Sequence, residues 1–284
     1  MQKNKTINER IKDMKEVKNS VKNNVLQYLV VAVIVVGAYM IGVYKTKVEY
    51  LEKGSGNVGA GVQQQGAQQA PAKQAVEMAN VEALFGEKGN LVFGKKGAKI
   101  KFVEFSDPSC PYCHIASGLD PELNNEVGAQ FKLVSEGGTY VPPEVEIKKL
   151  VDEGKAQLVW FYTPGHGSGE LATLALYCAN DKGKFWEAHA LLMSNKGYTF
   201  INETVQNDRE KAPDMANFLS SAVDSAFMQS CLESGKYDER ITSDPQVAGS
   251  FGYGATPTFF INDQVVEGAA SWDQAFQPLV DLLL

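Results

Sequence analysis

The sequence predicts an α/β domain, preceded by one N-terminal transmembrane helix and a flexible linker. Three observations carry that expectation. An alternating, β-rich run at 98–106 passes straight into two cysteines two residues apart. A second strand-like run at 156–164 follows a helical stretch, and a long helical block then separates it from a hairpin signal near the C-terminus.

Residues 1–24 are polar and rich in Lys, and they lead into "VLQYLVVAVIVVGAYMIGVY", Val25 to Tyr44, which has no charge and one polar amide, Gln27. Twenty residues at the helical rise span about 30 Å, enough to cross a bilayer core. The charged leader is long for a cleavable signal, and no small-x-small site closely follows the apolar run, so 25–44 reads as a retained anchor. Residues 1–44 hold seven Lys or Arg and three acids, which leaves the N-terminus in the cytoplasm by the positive-inside rule. The expected location is the cell membrane, single-pass, with the folded part outside.

Of 27 basic and 34 acidic residues in the whole chain, 20 and 31 remain after residue 44, a net charge of −11. That balance argues against nucleic acid and against tight binding to anionic lipid. Residues 45–80 form the linker. The stretch "GSGNVGAGVQQQGAQQAPAKQAVEMAN" (54–80) has no aromatic residue and too little apolar surface to offset its ordering entropy.

The folded domain is expected over 81–284. "AKIKFVEFS" (98–106) is its first strand, and Pro111 suits the first position of the helix that follows Asp107-Pro108-Ser109. Residues 118–143 carry Gly and Pro punctuation that resolves into no clear element. "PEVEIKKLVDEG" (143–154) has helical spacing, and "AQLVWFYTP" (156–164) is a strand ending at Pro164. A helical block occupies about 168–251, where Phe185, Trp186 and Leu191 have the spacing of core residues. "TPTFFIN", the turn Asn262-Asp263 and "QVVEG" form a hairpin, and an amphipathic helix runs from Ser271 to the terminus.

"EFSDPSCPYCHIA" (104–116) holds the chemistry. A helix N-terminus points unpaired N–H groups at Cys110 and favours its thiolate, while Cys113, one turn on, is less exposed and placed to resolve a mixed disulfide. The same letters satisfy C-x-x-C-H, the pattern of covalent haem attachment, but the motif follows a strand and a hairpin lies downstream, unlike a small helical haem domain. Zinc would need two more ligands, and Cys178 and Cys231 have no partner at short ligand spacing. Neither a metal nor a cofactor is expected. The even count of four cysteines permits two pairs in an oxidising compartment.

"VEFSDPSCPYC", "YCANDKGKFWEAHALLM", "CLESGKYDERI" and "GATPTFFIN", in that order, resemble the DsbA-like branch of the thioredoxin superfamily. The resemblance implies a thioredoxin-like fold with the 168–251 block inserted, and a protein thiol:disulfide oxidoreductase acting through CPYC. It implies a cis proline at Pro257, preceded by Thr256, opposite the cysteines. It places at Glu104 the buried acid that assists proton transfer at Cys113; a carboxyl on a central strand should have a raised pKa. Cys178 and Cys231, at the two ends of the block, are expected to form a structural disulfide. The implied partners are exported proteins bearing cysteines and a membrane or soluble redox partner that resets the CPYC pair. A redox-inert binding or chaperone domain on the same fold is the alternative. Asp107 reads as a turn residue, His114 as a helix residue without a necessary role, His166 as a polar residue at a helix start, and His189 as a satisfied, partly buried histidine.

Overall fold

Order begins before Val81. In the computed structural model, which describes residues 76–284, Met78–Leu84 (α1) is helical. A helix this short does not persist alone in water. It is held by burying Val81 and Leu84 against the sheet, roughly 1.5–3 kcal/mol for each side chain. The folded part therefore starts inside what the sequence suggests is linker. Segment 1–24, the span 25–44 and the linker up to residue 75 lie outside the described residues. Among the described residues no helix is long and apolar enough to cross a membrane.

The sheet has five strands: Leu91–Gly94 (β1), Ile100–Ser106 (β2), Ala156–Tyr162 (β3), Thr258–Ile261 (β4) and Gln264–Glu267 (β5), in the spatial order β1-β3-β2-β4-β5. Only β2 and β3 are parallel. A parallel pair needs a crossover, supplied here by Pro111–Ser117 (α2), Pro121–Val127 (α3) and Pro143–Asp152 (α4). The β4–β5 hairpin turns at Asn262, whose positive φ of 54° suits a tight turn. Strand β1 has no counterpart in the sequence reading. Its four residues end at Gly94, too short a run to show a period.

Every residue of β2 and β3 is buried, because both faces of the central strands are covered. On one face Phe102, Leu158, Phe259 and Ile261 pack on Ile115 and Ala116 of α2, Ile147 and Val151 of α4, and Trp272 and Phe276 near the C-terminus. On the other, Val103, Phe105, Val159, Phe161 and Phe260 meet α1 and Tyr253.

After β3 come Glu170–Asn180 (α5), Phe185–Leu192 (α6), Asn195–Thr199 (α7), Ala212–Phe218 (α8), Ser225–Glu233 (α9) and Asp238–Ser250 (α10). Leu171, Leu174, Phe185, Met215 and Met228 form their core, which closes on Trp160 and Tyr162 at the end of β3. Helix α10 serves both parts, with Ile241 in the core of the block and Ala248 against the sheet.

The unassigned 118–143 stretch is α3, two short 3-10 turns and a bridge between Leu133 and Tyr140. The terminal helix is less regular than its pattern suggests. It is a π-helical turn over Trp272–Phe276 followed by Gln277–Asp281 (α11).

Candidate active site

Strand β2 delivers the chain at Ser106, and the next four residues turn it into α2. Asp107 organises the turn. Its Oδ1 accepts from the backbone N–H of Ser109 at 2.8 Å and from the Ser109 hydroxyl at 2.7 Å. Its Oδ2 accepts from the N–H groups of Gly165 at 2.7 Å and His166 at 2.9 Å. This fully buried carboxylate thus ties the cysteine turn to the β3–α5 loop, more than the turn role its place before proline suggests. Gly169 has to lack a side chain, because a Cβ there would sit 1.9 Å from Asp107 Oδ1.

Cys110 is the N-cap of α2 and Pro111 its first residue. The Cys110 Sγ lies 3.4 Å from the carbonyl oxygen of Thr256, and the Thr256–Pro257 peptide is cis. The chain after the helical block and the chain after β2 therefore meet at one point. Cys110 is 5 % exposed and Cys113 not at all. The Cys113 Sγ accepts from the N–H of Asp107 at 3.4 Å.

The two free thiols differ in acidity. The Cys113 thiol, then Thr256 and the N–H groups of Cys113 and Tyr112, bring Cys110 down to about 7 against the opposing effect of burial. Burial first, and the neighbouring Cys110 second, push Cys113 well above the usual thiol range. One sulfur is poised as a thiolate and the other kept as a thiol, the division that a nucleophile and a resolving group require.

His114 has a structural role that its sequence context does not reveal. It is fully buried, with Nε2 2.8 Å from the Pro108 carbonyl oxygen and Nδ1 4.0 Å from Asp120. Its ring also packs edge-on against Tyr198. Turned inward in this way, the imidazole of the CPYCH sequence is not presented as an axial haem ligand. His166 is exposed in the loop before α5, four residues short of the helix it was expected to start.

Glu104 is buried in the middle of β2, opposite Trp160 of β3 and Phe259 of β4. Burial raises its carboxyl to about 7, and Glu144, Ser106 and Trp160 are the polar groups that act on it. Ser106 also acts on the Cys113 thiol, so the same side chain bears on both the acid and the sulfur. Cys178 and Cys231 are joined to each other in the inserted block, with Cα atoms 6.0 Å apart. They take no part in the thiol site and are not available as zinc ligands.

The family model described as Thioredoxin matches residues 144–281, from α4 to the C-terminal helix. That match begins downstream of both free thiols. A relative that reaches further is disulfide bond formation protein D of Bacillus subtilis, 23 % identical over 193 residues, 66 % of this chain and 74 % of the relative. The chain is thus similar to DsbA-like thiol:disulfide oxidoreductases. Its fold is likewise that of a variant of alpha-DsbA1 from Wolbachia pipientis. The two agree with a TM-score of 0.51 at 20 % identity, over 72 % of this chain and 95 % of the Wolbachia one. The chain also matches a Na(+)/H(+) antiporter of Salinispora tropica at 25 % identity over 175 residues, but spans only 21 % of that protein.

Sequence reasoning passed over Ser106 and Glu144. Ser106 was visible only as the last letter of a strand. Glu144 was one unmarked letter of the helical run 143–154, yet Glu144 and Glu104 converge in the interior because α4 packs across the face of β2 that carries Glu104.

Proposed function

We propose that this chain exchanges disulfides with cysteine-bearing exported proteins outside the cytoplasmic membrane, with Cys110 as nucleophile and Cys113 as resolving thiol. The observation that carries the reading is the opposed acidity of two adjacent thiols at the start of α2. In one direction the Cys110 thiolate attacks a substrate disulfide, forming a Cys110–substrate bond and releasing one substrate thiolate. Cys113 then loses its proton and attacks Cys110. The Cys110–Cys113 bond forms, and the second substrate sulfur leaves as thiolate. The reverse sequence oxidises a substrate dithiol through the same bonds. Thr256 and Pro257 border the sulfur that is attacked, and Glu104 serves as the proton acceptor for Cys113 through Ser106.

Val25–Tyr44 anchors the domain, the Gly/Gln/Ala-rich linker that follows tethers it, and a membrane or soluble redox partner resets the Cys110/Cys113 couple. Support for an external setting comes from the Cys178–Cys231 disulfide, a bond that persists in oxidising compartments.

The test is trapping. Cys113→Ser should accumulate mixed disulfides on Cys110, and Cys110→Ser should accumulate none, read by non-reducing electrophoresis and peptide mapping. Adducts on Cys113 in the reverse variant would overturn the assignment of roles. Adducts from neither variant would identify a redox-inert binding domain.

A further inference from the structure

Behind Cys113 a line of polar groups runs from the thiol to the protein surface. Ser106 acts on both the Cys113 thiol and the Glu104 carboxyl. Glu104 of β2 and Glu144 of α4 interact carboxyl to carboxyl. Glu144 Oε2 then lies 3.4 Å from Nε2 of His189 on α6. Glu144 and His189 are nearly buried, but both line an open groove of about 180 Å³ between α4 and α6, with Ser117, Lys148 and Trp186. One oxygen of each carboxyl, Oε1 of Glu104 and Oε1 of Glu144, is buried without a hydrogen-bond partner.

Two facing buried carboxyls do not both ionise, so the pair holds a proton between them. Burial and the Glu104 charge push Glu144 well above the usual carboxylate range. Burial, aided by His114, holds His189 down to about 3. A protonated Glu144 therefore faces a neutral imidazole. The other titratable or charged groups facing this cluster are Tyr140, before α4, and Lys148 at the groove.

Building on the disulfide-exchange reading above, we propose that Glu144 is a positioning residue through which the proton exchanged at Cys113 passes between Glu104 and the groove beside His189. During resolution a substrate polypeptide is bonded to Cys110 and covers that side of Cys113. The Cys113 proton passes through the Ser106 hydroxyl to Glu104. Glu144 accepts it from Glu104 as its own proton leaves to the groove. The Cys113 thiolate forms the bond to Cys110, and the substrate sulfur leaves with the electron pair of the broken bond. Proton traffic and substrate thus use separate faces.

The experiment follows resolution of a preformed Cys110 mixed disulfide by rapid quench across a pH series, in the full chain and in Glu144→Gln and Glu144→Asp. We expect Glu144→Gln to slow resolution about tenfold near pH 7, the effect of about one unit in the basicity of Glu104. Its pH midpoint should shift, adduct formation at Cys110 should keep the wild-type rate, and Asp should restore part of the loss. The redox difference infrared spectrum should lose one protonated-carboxyl band in Glu144→Gln. Wild-type resolution with an unmoved midpoint, or an unchanged infrared spectrum, would overturn the route. Should Glu144→Gln fail to fold, His189→Gln gives the same decision. A shifted carboxyl band and slower resolution support the route, and an unaltered band and rate exclude it. Absence of any adduct on wild-type Cys110 would instead remove the exchange reading, and the route with it.

Discussion

Glu104 shows how much one residue depends on its setting. In the unfolded chain its carboxyl titrates near 4.5, and in the folded domain burial raises it to about 7. Between those values the folded state keeps a proton that the unfolded chain has released, so stability falls as pH rises. The stabilisation due to this proton is whole below about pH 4.5 and is lost as pH climbs through about 7. The full gap corresponds to roughly 3 kcal/mol. His189 acts in the opposite sense. Depressed to about 3, it removes stability as pH falls from 6.5 toward that value. A wild-type curve therefore mixes two slopes, and a difference experiment separates them. Chemical denaturation should show Glu104→Gln gaining on wild type by up to roughly 3 kcal/mol from pH 4.5 to pH 8. An equal difference at both pH values would mean that Glu104 does not titrate in the fold.

At the scale of elements, the site depends on loops fixed by buried charge. Asp107 joins the cysteine turn to the β3–α5 loop. A second knot secures α10. Asp244 accepts from Tyr177 of α5 at 2.5 Å and from the N–H of Tyr162 at 3.3 Å, while Arg240 grips both of its oxygens and also reaches the Gly89 carbonyl before β1. Burial raises the Asp244 carboxyl, and Arg240 works against that rise. Removing Arg240 would leave a carboxylate in the interior without its cation. Arg240→Ala should therefore cost about 3 kcal/mol, read from denaturant midpoints. Arg240→Lys should recover only part of it, because an ammonium cannot make the two-pronged contact. A lysine variant as stable as wild type would show that the fork geometry is unimportant.

For the whole molecule, the sheet with its thiol pair and the inserted helices with their disulfide are separately secured parts of one fold. The Cys178–Cys231 bond joins α5 to α9 across 53 residues. Closing a loop of that length restricts the unfolded chain by about 4 kcal/mol in the chain-entropy model. Cys178→Ala/Cys231→Ala should lower the melting temperature and leave exchange at Cys110 largely intact, since neither sulfur approaches the Cys110/Cys113 couple. The bond should also outlast that couple under graded reductant, because its sulfurs are buried in the block core. Loss of exchange without loss of fold would mean that the second pair relays electrons to the first.

What the sequence determined by itself is whatever depends on neighbours along the chain. The alternation of β2, the proline that opens α2 and places Cys110 at its cap, and the Asn262-Asp263 hairpin are local, and each is legible as letters in order. Four ordered stretches of resemblance carried the architecture and marked Pro257, Glu104 and the Cys178–Cys231 pair. Tertiary structure decided whatever depends on distant segments meeting. Helix α10 bridges the block and the sheet because Ile241 lands in one core and Ala248 on the other, and β1 exists because β3 offers an edge to a run too short to show a period. Asp107 is a hub because Gly165 and His166 arrive from another loop, and His114 is structural because Pro108 and Asp120 enclose it. Glu144 becomes part of the proton chemistry only once α4 crosses β2 and brings a second acid to Glu104. The physical reason is common to all of these. A carboxyl or an imidazole takes its charge from burial and from the groups around it, and those surroundings come from parts of the chain far from it in sequence.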